Sequence, residues 1–488
     1  MRPLIEHART RHTPETLAEQ LRGAPGLMLL RSDGELKEQT RYSFVVTRPF
    51  LTMRTLGSRC EIRATDSQAR PSISIQYGNP WHVLDHLLSR YELIDEIDLP
   101  FPLGGCFGYW GYDLKNFVEP RLRSHAVNDL ELPDCAVGFY DSLAIFDLHL
   151  GKTWLVATGL AADGSRDETR ARQQADWWHK QLTLPHSPPP PLSTGGTSLR
   201  VRPTSNFTRQ EFLNTTRRAL DYIRAGDIYQ VNLSQRFTAP WPGSGWDFHR
   251  ALHAASPAPF GAFLNAGDFQ LASSSPERFL RLSGQHIQTR PIKGTRPRNA
   301  DPQRDAQLAY ELQSSEKERA ELVMITDLLR NDLGRVCEFG SVQVPELMRL
   351  ERFAQVQHLV STVEGRLRAG HSHLAALRDC FPGGSITGAP KFRAMEIIDE
   401  LEPVTRGPYT GSLGYLGFNR ESQFNIAIRT AIIRDGQVHY QAGAGIVADS
   451  NPEMEYEETL AKAGGFAKAL SFTTETHRAQ RKTSLKSL

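Results

Sequence analysis

Lys293 is the residue with the most pointed chemical setting in this chain. It lies in Gln288-Thr-Arg-Pro-Ile-Lys-Gly-Thr-Arg-Pro-Arg298, between a strand-like run from Gln285 to Ile292 and Gly294. A glycine there lets the backbone turn tightly, so the ammonium is aimed from a fixed base. A lysine so placed is either a charge or a nucleophile, and Arg290, Arg296 and Arg298 beside it also fit a solvated cationic loop. Two helical stretches carry glutamates three apart, Glu318 with Glu321 and Glu455 with Glu458. That spacing puts each pair on one helix face. Either pair alone is ordinary for a solvated helix, but both lie amid apolar neighbours such as Leu322, Val323 and Leu460. Carboxylates gathered inside a fold need a cation, and an all-oxygen set selects magnesium over zinc.

Anion-binding features accompany them. Pro382-Gly-Gly-Ser-Ile-Thr-Gly-Ala-Pro-Lys391 ends at a helix start, where free N–H groups favour negative charge, and Gly443-Ala-Gly445 offers a similar backbone cradle. Gly411-Ser-Leu-Gly-Tyr-Leu-Gly417 resembles a nucleotide loop only loosely and reads as bulges within strands. Arg429 and Lys462 have the charge to neutralise a substrate carboxylate, although Lys462 equally fits an i,i+4 pair with Glu458. His358 falls on an otherwise apolar strand face, as a core histidine or as a pocket group. Together these residues describe a pocket for a small polyanion.

The elements that must position them are mixed. Leu27–Leu30 and Arg41–Val46 read as neighbouring strands, with a turn at Arg31-Ser-Asp-Gly34 between them. Trp81–Tyr91 has helical spacing, the glycine- and aromatic-rich 103–113 segment marks bulges or close backbone approach, and 137–150 reads as two strands. A helix over 167–182 closes the first half. Later come a helix from Thr208 to Ala225 stopped by Gly226, a strand over 227–237 and a hairpin over 261–273. They are followed by a helix over 316–329 and a period-two strand over 353–363. The predicted strands at 411–417, 424–434 and 437–441 precede a last helix from Pro452, which opens with Ser450-Asn-Pro-Glu453, a capping-box pattern. The organisation expected is 1–185, a Pro/Gly-rich linker at 186–204, a motif-dense region at 205–474 and a polar tail at 475–488.

At 488 residues with 39% hydrophobic content, the chain can build large cores, and a net charge of +2 speaks against nucleic acid as a partner. Five scattered cysteines, none in a Cys-x-x-Cys pair, fit reduced thiols in the cytoplasm. The first twenty residues lack the apolar core of a signal peptide, and no run approaches a membrane span, so no membrane partner is expected.

Pro291-Ile-Lys-Gly-Thr-Arg-Pro, Ser275-Pro-Glu-Arg, Asp327-Leu-Leu-Arg-Asn-Asp, Gly384-Ser-Ile-Thr-Gly-Ala-Pro-Lys, Ile428-Arg-Thr and Gly443-Ala-Gly-Ile-Val-Ala-Asp-Ser450 resemble the signature stretches of the chorismate-utilising enzymes. The match is strongest over 205–470 and extends forward through Leu29-Leu-Arg-Ser32, Arg41-Tyr-Ser-Phe44 and Gly104–Tyr109. The resemblance implies an α+β fold, a large two-sheet β-sandwich flanked by helices into which the amino-terminal half also packs. Relatives that make anthranilate generally carry alanine where this chain has Lys293. Those that make isochorismate or salicylate carry a water-activating lysine where this chain has Gln230. The pattern here implies the branch that converts chorismate and ammonia to 4-amino-4-deoxychorismate, with anthranilate formation as the alternative. From a different class comes a catalytically silent chorismate-binding regulator.

Carried over position by position, the resemblance implies Lys293 as nucleophile, Glu277 as general acid and base, and His358 against the ring. It implies magnesium on Glu321 and Glu455 with Glu318 and Glu458 beside them, and substrate on Arg429, Tyr409, Thr387, Lys462, Gly443 and Gly445. The amine must be neutral to attack, so burial or a cation such as Arg290 is expected to lower its pKa. Relatives also hold tryptophan in the first half, which here implies a pocket from Ser32, Tyr42, Ser43, Phe44 and Pro257. Arg31 stands where feedback-inhibited relatives have glutamate. The one Gly-x-Cys-x-Gly match, Gly104-Gly-Cys-Phe-Gly108, falls in the strand-like aromatic segment and not in a nucleophile elbow, so ammonia would come from solution or from a separate glutamine amidotransferase subunit.

Overall fold

The computed structural model describes residues 2–32, 40–64, 72–93, 99–185, 192–194, 202–353 and 356–473. Most of the expected linker and the whole 475–488 tail lie outside these residues, as does the far side of the turn after Ser32. Two twelve-stranded sheets, antiparallel at every pairing, form the body. In the first sheet the order runs Leu4–Ala8, Lys152–Ala157, Ser142–Asp147, Tyr42–Val46 and Met28–Ser32. It continues through Phe260–Asn265, Gln270–Ser275, Thr430–Arg434, Gln437–Ile446, Gln230–Pro240 and Thr204–Ser205. The second begins at Ile292–Pro297 and passes through Val356–Arg366, His286–Thr289, Arg278–Ser283, Glu421–Asn425 and Ser412–Gly417. It then takes in Gly105–Trp110, Cys135–Tyr140, Leu51–Leu56, Arg59–Ala64 and Ser72–Tyr77. Each sheet is therefore woven from both ends of the chain. Met28–Ser32 pairs with Phe260–Asn265, and Gly105–Trp110 with Ser412–Gly417. The expected two-sheet, helix-flanked α+β architecture is borne out.

The inner faces meet in one aromatic core. Phe44 of the first sheet lies edge-on to Tyr415 of the second, with ring centres 5.1 Å apart, and Tyr415 stacks on Phe107. Glycines in the second sheet allow the strands to close. A Cβ on Gly108 would lie 2.2 Å from the Ala136 carbonyl oxygen, and one on Gly414 2.1 Å from that of Gln423. Ser412–Gly417 keeps unbroken register with both neighbours, so its glycines serve close approach and not the bulges expected from sequence.

Helix ends follow local rules. Arg209–Arg224 starts at a Thr208/Glu211 capping box and buries Phe212, Leu213 and Leu220; Gly226 follows it at φ +82°. Pro452–Ser471 is capped by Asn451, whose side chain accepts from the N–H groups of Glu453 and Met454.

Two strand expectations are corrected. The run 285–292 is broken, because Pro291 has no N–H to give the ladder. His286–Thr289 and Ile292–Pro297 pair separately with Val356–Arg366, and Lys293 lies inside the latter strand. Gly294, at φ +70°, makes a bulge in that strand, with the register shifting between Lys293 and Thr295, and no turn. The 424–434 run is two strands in different sheets, Glu421–Asn425 and Thr430–Arg434. The chain crosses between the sheets at 426–429 with Arg429 at φ +49°. None of the described helices is long and apolar enough to cross a membrane.

Candidate functional site

The crossing at 426–429 leaves a strand edge open. Thr430–Arg434 stays paired with Gln437–Ile446 only as far as Tyr440, so beyond it one backbone edge of 441–446 has no partner strand among the described residues. Gly443 and Gly445 lie on this stretch. A Cβ at Gly443 would stand 2.9 Å from the Tyr409 hydroxyl and 2.7 Å from the Leu233 carbonyl oxygen. At Gly445 it would stand 2.6 Å from Nε2 of Gln230. Only glycine leaves the backbone bare enough for a ligand here. Arg429, half-buried, has no ion-pair partner among the described residues, and burial pulls its pKa down. Thr387 is fully buried and spends its hydroxyl on the Gly383 and Gly384 carbonyls. Lys462 makes the expected i,i+4 ion pair with Glu458 at 2.6 Å and also donates a hydrogen bond to the Gly443 carbonyl at 3.0 Å.

Lys293 enters from the second sheet, half-buried. Burial lowers its pKa from the ordinary lysine range; Lys462 pushes the same way, while Glu321, Glu277 and Glu458 oppose it. Arg290 is not the cation responsible. It is buried and committed to Glu351 at 2.6 Å and Glu346 at 3.2 Å. Arg296 faces Glu318 at 3.5 Å, and Arg298 pairs with Asp305, so the cationic flank is largely compensated. Gly294 lets Lys293 and the helix Glu316–Gly334 come together, because a Cβ there would meet Leu312 at 2.7 Å and Glu318 Oε2 at 3.0 Å.

Glu277 is 7% exposed, and its pKa is raised by burial against the opposing pulls of Ser385 and Lys293. Ser385 Oγ donates to Glu277 Oε1 at 2.7 Å. His358 is buried, with Nδ1 2.9 Å from the Thr295 hydroxyl and 3.3 Å from the Gly294 carbonyl oxygen. Burial lowers it to about 4, with Arg429 adding to the effect and the Gly294 carbonyl opposing it. Its strand is covered on both faces, not on the single apolar face that period two suggested.

The glutamates of two helices lie within electrostatic reach of one another. Burial raises Glu321, the charges of Glu318 and Glu458 add to the rise, and Lys293 and Lys317 oppose it. Glu455 is likewise raised by burial and by Glu458, against a hydrogen bond from Ser450. Among the described residues no three acidic, histidine or cysteine side chains already converge as a metal cluster. The donor set is nonetheless all carboxylate oxygen and mutually repelling, which fits magnesium in donor type and charge.

Sequence reasoning passed over Ser385 and Thr295. Ser385 sits inside the Gly384-Ser-Ile-Thr motif and was legible there; Thr295 meets His358 only through the pairing of distant strands. Of the tryptophan-pocket residues, Ser32, Tyr42 and Phe44 line a cavity of about 20 Å³, room for one water. Ser43 is buried beside it and accepts from the Ser32 N–H at 3.0 Å. Pro257 is exposed and takes no part in the lining. Arg31 is held by Glu15 and His253.

Comparison with known proteins gives the family. Residues 39–468 match the family described as chorismate binding enzyme. The chain is 41% identical to anthranilate synthase component 1 of Thermus thermophilus over 94% of its own length and 95% of that protein. It is 43% identical to aminodeoxychorismate synthase component 1 of Salmonella typhimurium over 90% of its length and 91% of that protein. Among solved structures, anthranilate synthase component I from Streptococcus pneumoniae superposes with a TM-score of 0.77 at 31% identity, covering 88% of this chain and 92% of that one. The menaquinone-specific isochorismate synthase of Escherichia coli shares the fold, with a TM-score of 0.70 at 19% identity, over 96% of this chain and 94% of that one. With a family match over most of its length and relatives above 40% identity along nearly all of it, the chain belongs to the chorismate binding enzymes.

Proposed function

We propose that this protein converts chorismate and ammonia to 4-amino-4-deoxychorismate, the precursor of p-aminobenzoate for folate. The observation that carries the reading is Lys293, an amine drawn toward neutrality by burial and set within the electrostatic reach of Glu277 and of the Glu321/Glu458 carboxylates. The Lys293 amine bonds to C2 of the ring, the conjugated double bonds shift, and the C4–O bond breaks as Glu277 gives its proton to the departing hydroxyl, releasing water. Ammonia then bonds to C4, the double bonds shift back, and the C2–N bond to Lys293 breaks. Glu277 takes up the proton lost on this return, and the free amine is restored. Arg429, Tyr409 and the backbone at Gly443 and Gly445 hold a substrate carboxylate. Thr387 shapes the adjoining wall, and neutral His358 lines the ring. Magnesium on Glu321 and Glu455, with Glu318 and Glu458 beside them, would neutralise the other carboxylate. All five cysteines are buried, in keeping with ammonia arriving from a separate glutamine amidotransferase subunit in the cytoplasm.

The competing reading, anthranilate formation, draws on the 41% identity to the Thermus protein. The product separates the two. With chorismate, magnesium and ammonium, the present reading expects p-aminobenzoate only once a lyase is added, and fluorescent anthranilate formed directly overturns it. Intact mass spectrometry of a substrate-treated sample should show an adduct that disappears in Lys293→Ala.

A further inference from the structure

A large cavity lies elsewhere. About 960 Å³ in volume, it is lined by the 23–26 loop, the 48–54 segment, Ala136–Asp141, the 160–162 loop, Arg170 and the hairpin end at 264–270. No residue of the Lys293 site borders it. Pockets that hold small organic molecules span roughly 300–1,000 Å³ and combine apolar walls with a few fixed polar groups. Pro25, Pro49, Phe50, Val137 and Leu264 supply apolar wall here, and four arginines, Arg48, Arg54, Arg63 and Arg170, supply charge.

Two of those arginines are already answered. Arg54 pairs with Asp268 at 2.7 Å, and Arg63 with Glu61 at 2.5 Å. Arg48 and Arg170 have no ion pair among the described residues, and the carboxylate whose charge feels both is Asp141. Asp141 is 4% exposed, and its Oδ2 has no hydrogen-bond partner; Nη1 of Arg170 is buried without one as well. Buried polar atoms left in that state are uncommon, because each has surrendered water for nothing. Arg48 is held in advance. Its guanidinium lies over the Trp177 ring, 4.7 Å from the centre, and its residue sits at φ +58° with the N–H given to Pro25. Asp141 feels both guanidinium groups and Asp163 feels Arg170, but among the described residues neither carboxylate forms an ion pair with them, so both cations remain open to a ligand anion, and the orphaned Asp141 oxygen asks for a donor.

We infer that this cavity is a second ligand site, separate from the chorismate site, for a small hydroxy- or amino-carboxylate with an apolar body. The ligand's carboxylate answers Arg48 and Arg170, its adjacent O–H or N–H answers Asp141, and its body lies along the Pro25, Phe50 and Leu264 wall. The probes are 3-phenyllactate and 3-phenylpropanoate, which differ only in the hydroxyl donor, titrated by calorimetry into the full chain. Expected are saturable binding of phenyllactate, weaker binding of phenylpropanoate, and at least about a tenfold rise in Kd for phenyllactate in Arg170→Met. Arg429→Met and saturating chorismate should leave the Kd unchanged. No binding at about 10 mM, an unchanged Kd in Arg170→Met, or displacement by chorismate overturns the inference. Equal binding of the two probes overturns the part assigned to Asp141. Should Arg170→Met fail to fold, Arg48→Met carries the same expectation.

Discussion

Glu277 and Lys293 are pushed by burial in opposite directions, the acid up and the base down, toward a state in which both are neutral. That state is the one the proposed first displacement needs, and because each charge stabilises the other the pair titrates as a unit. Replacing Glu277 by Gln removes the transferable proton while keeping the shape and should lower kcat by about 10²–10⁴-fold, measured by single-turnover kinetics. Stability gives an independent reading. A carboxyl raised in the folded state contributes fully below its unfolded pKa and loses that contribution as pH rises through the folded value. Glu277→Gln should therefore gain in Tm over the wild type at pH 8 but not at pH 4. His358 has the opposite sign. Lowered from 6.5 to about 4, its contribution is present above 6.5 and is lost as pH falls through 4. The gap is worth roughly 3 kcal/mol. Its ring should stay neutral by NMR down to about pH 4, and an inflection from this ring near 6.5 would contradict its burial against Thr295. Motif reading reached Lys293, Glu277 and the glutamates, because each sits in a short, dense stretch. It named burial, the first cause of the Lys293 shift, but its other candidate, Arg290, is committed to carboxylates 56 and 61 residues away.

At the scale of elements, the bulge at Gly294 links the nucleophile's strand to the helix carrying Glu318 and Glu321. Gly294→Ala would combine a left-handed backbone with a Cβ 2.7 Å from Leu312. The substitution should cost about 1–3 kcal/mol in chemical denaturation and lower kcat together with stability. An alanine variant of unchanged stability would show that the bulge relaxes freely. Helix ends were partly legible: Gly226 does follow the helix that Thr208 caps, whereas the last helix is capped by Asn451 and not by the Ser450 capping box that the sequence suggested. The sheet switch at 426–429 was not. Alternating residues continue on both sides of it, and period two does not record which sheet a strand joins.

For the whole molecule, the interleaving of strands has a measurable outcome. Residues 4–157 contribute strands to both sheets, and in each sheet one of these strands, Met28–Ser32 or Gly105–Trp110, is hydrogen-bonded to a strand beyond residue 259. A protease site engineered at 186–191 should yield two fragments that co-elute under native conditions, separate only in denaturant and retain most of the activity. Fragments that part in buffer would show that the sheets hold less tightly than their ladders suggest. The two-sheet architecture was readable only through resemblance, because no local pattern pairs Leu29 with Phe263 across more than two hundred residues. The arginine-lined cavity was not readable at all, since its walls come from seven separate stretches.

The helix Pro452–Ser471 carries Glu455, Glu458 and Lys462 at the far end of the chain. A ribosome therefore finishes both sheets before it translates Glu455 and Glu458, two of the five glutamates placed around Lys293. A stop codon just ahead of Asn451 would leave a message whose product keeps every strand of the described sheets up to Ile446 and yet has an amine facing an empty flank.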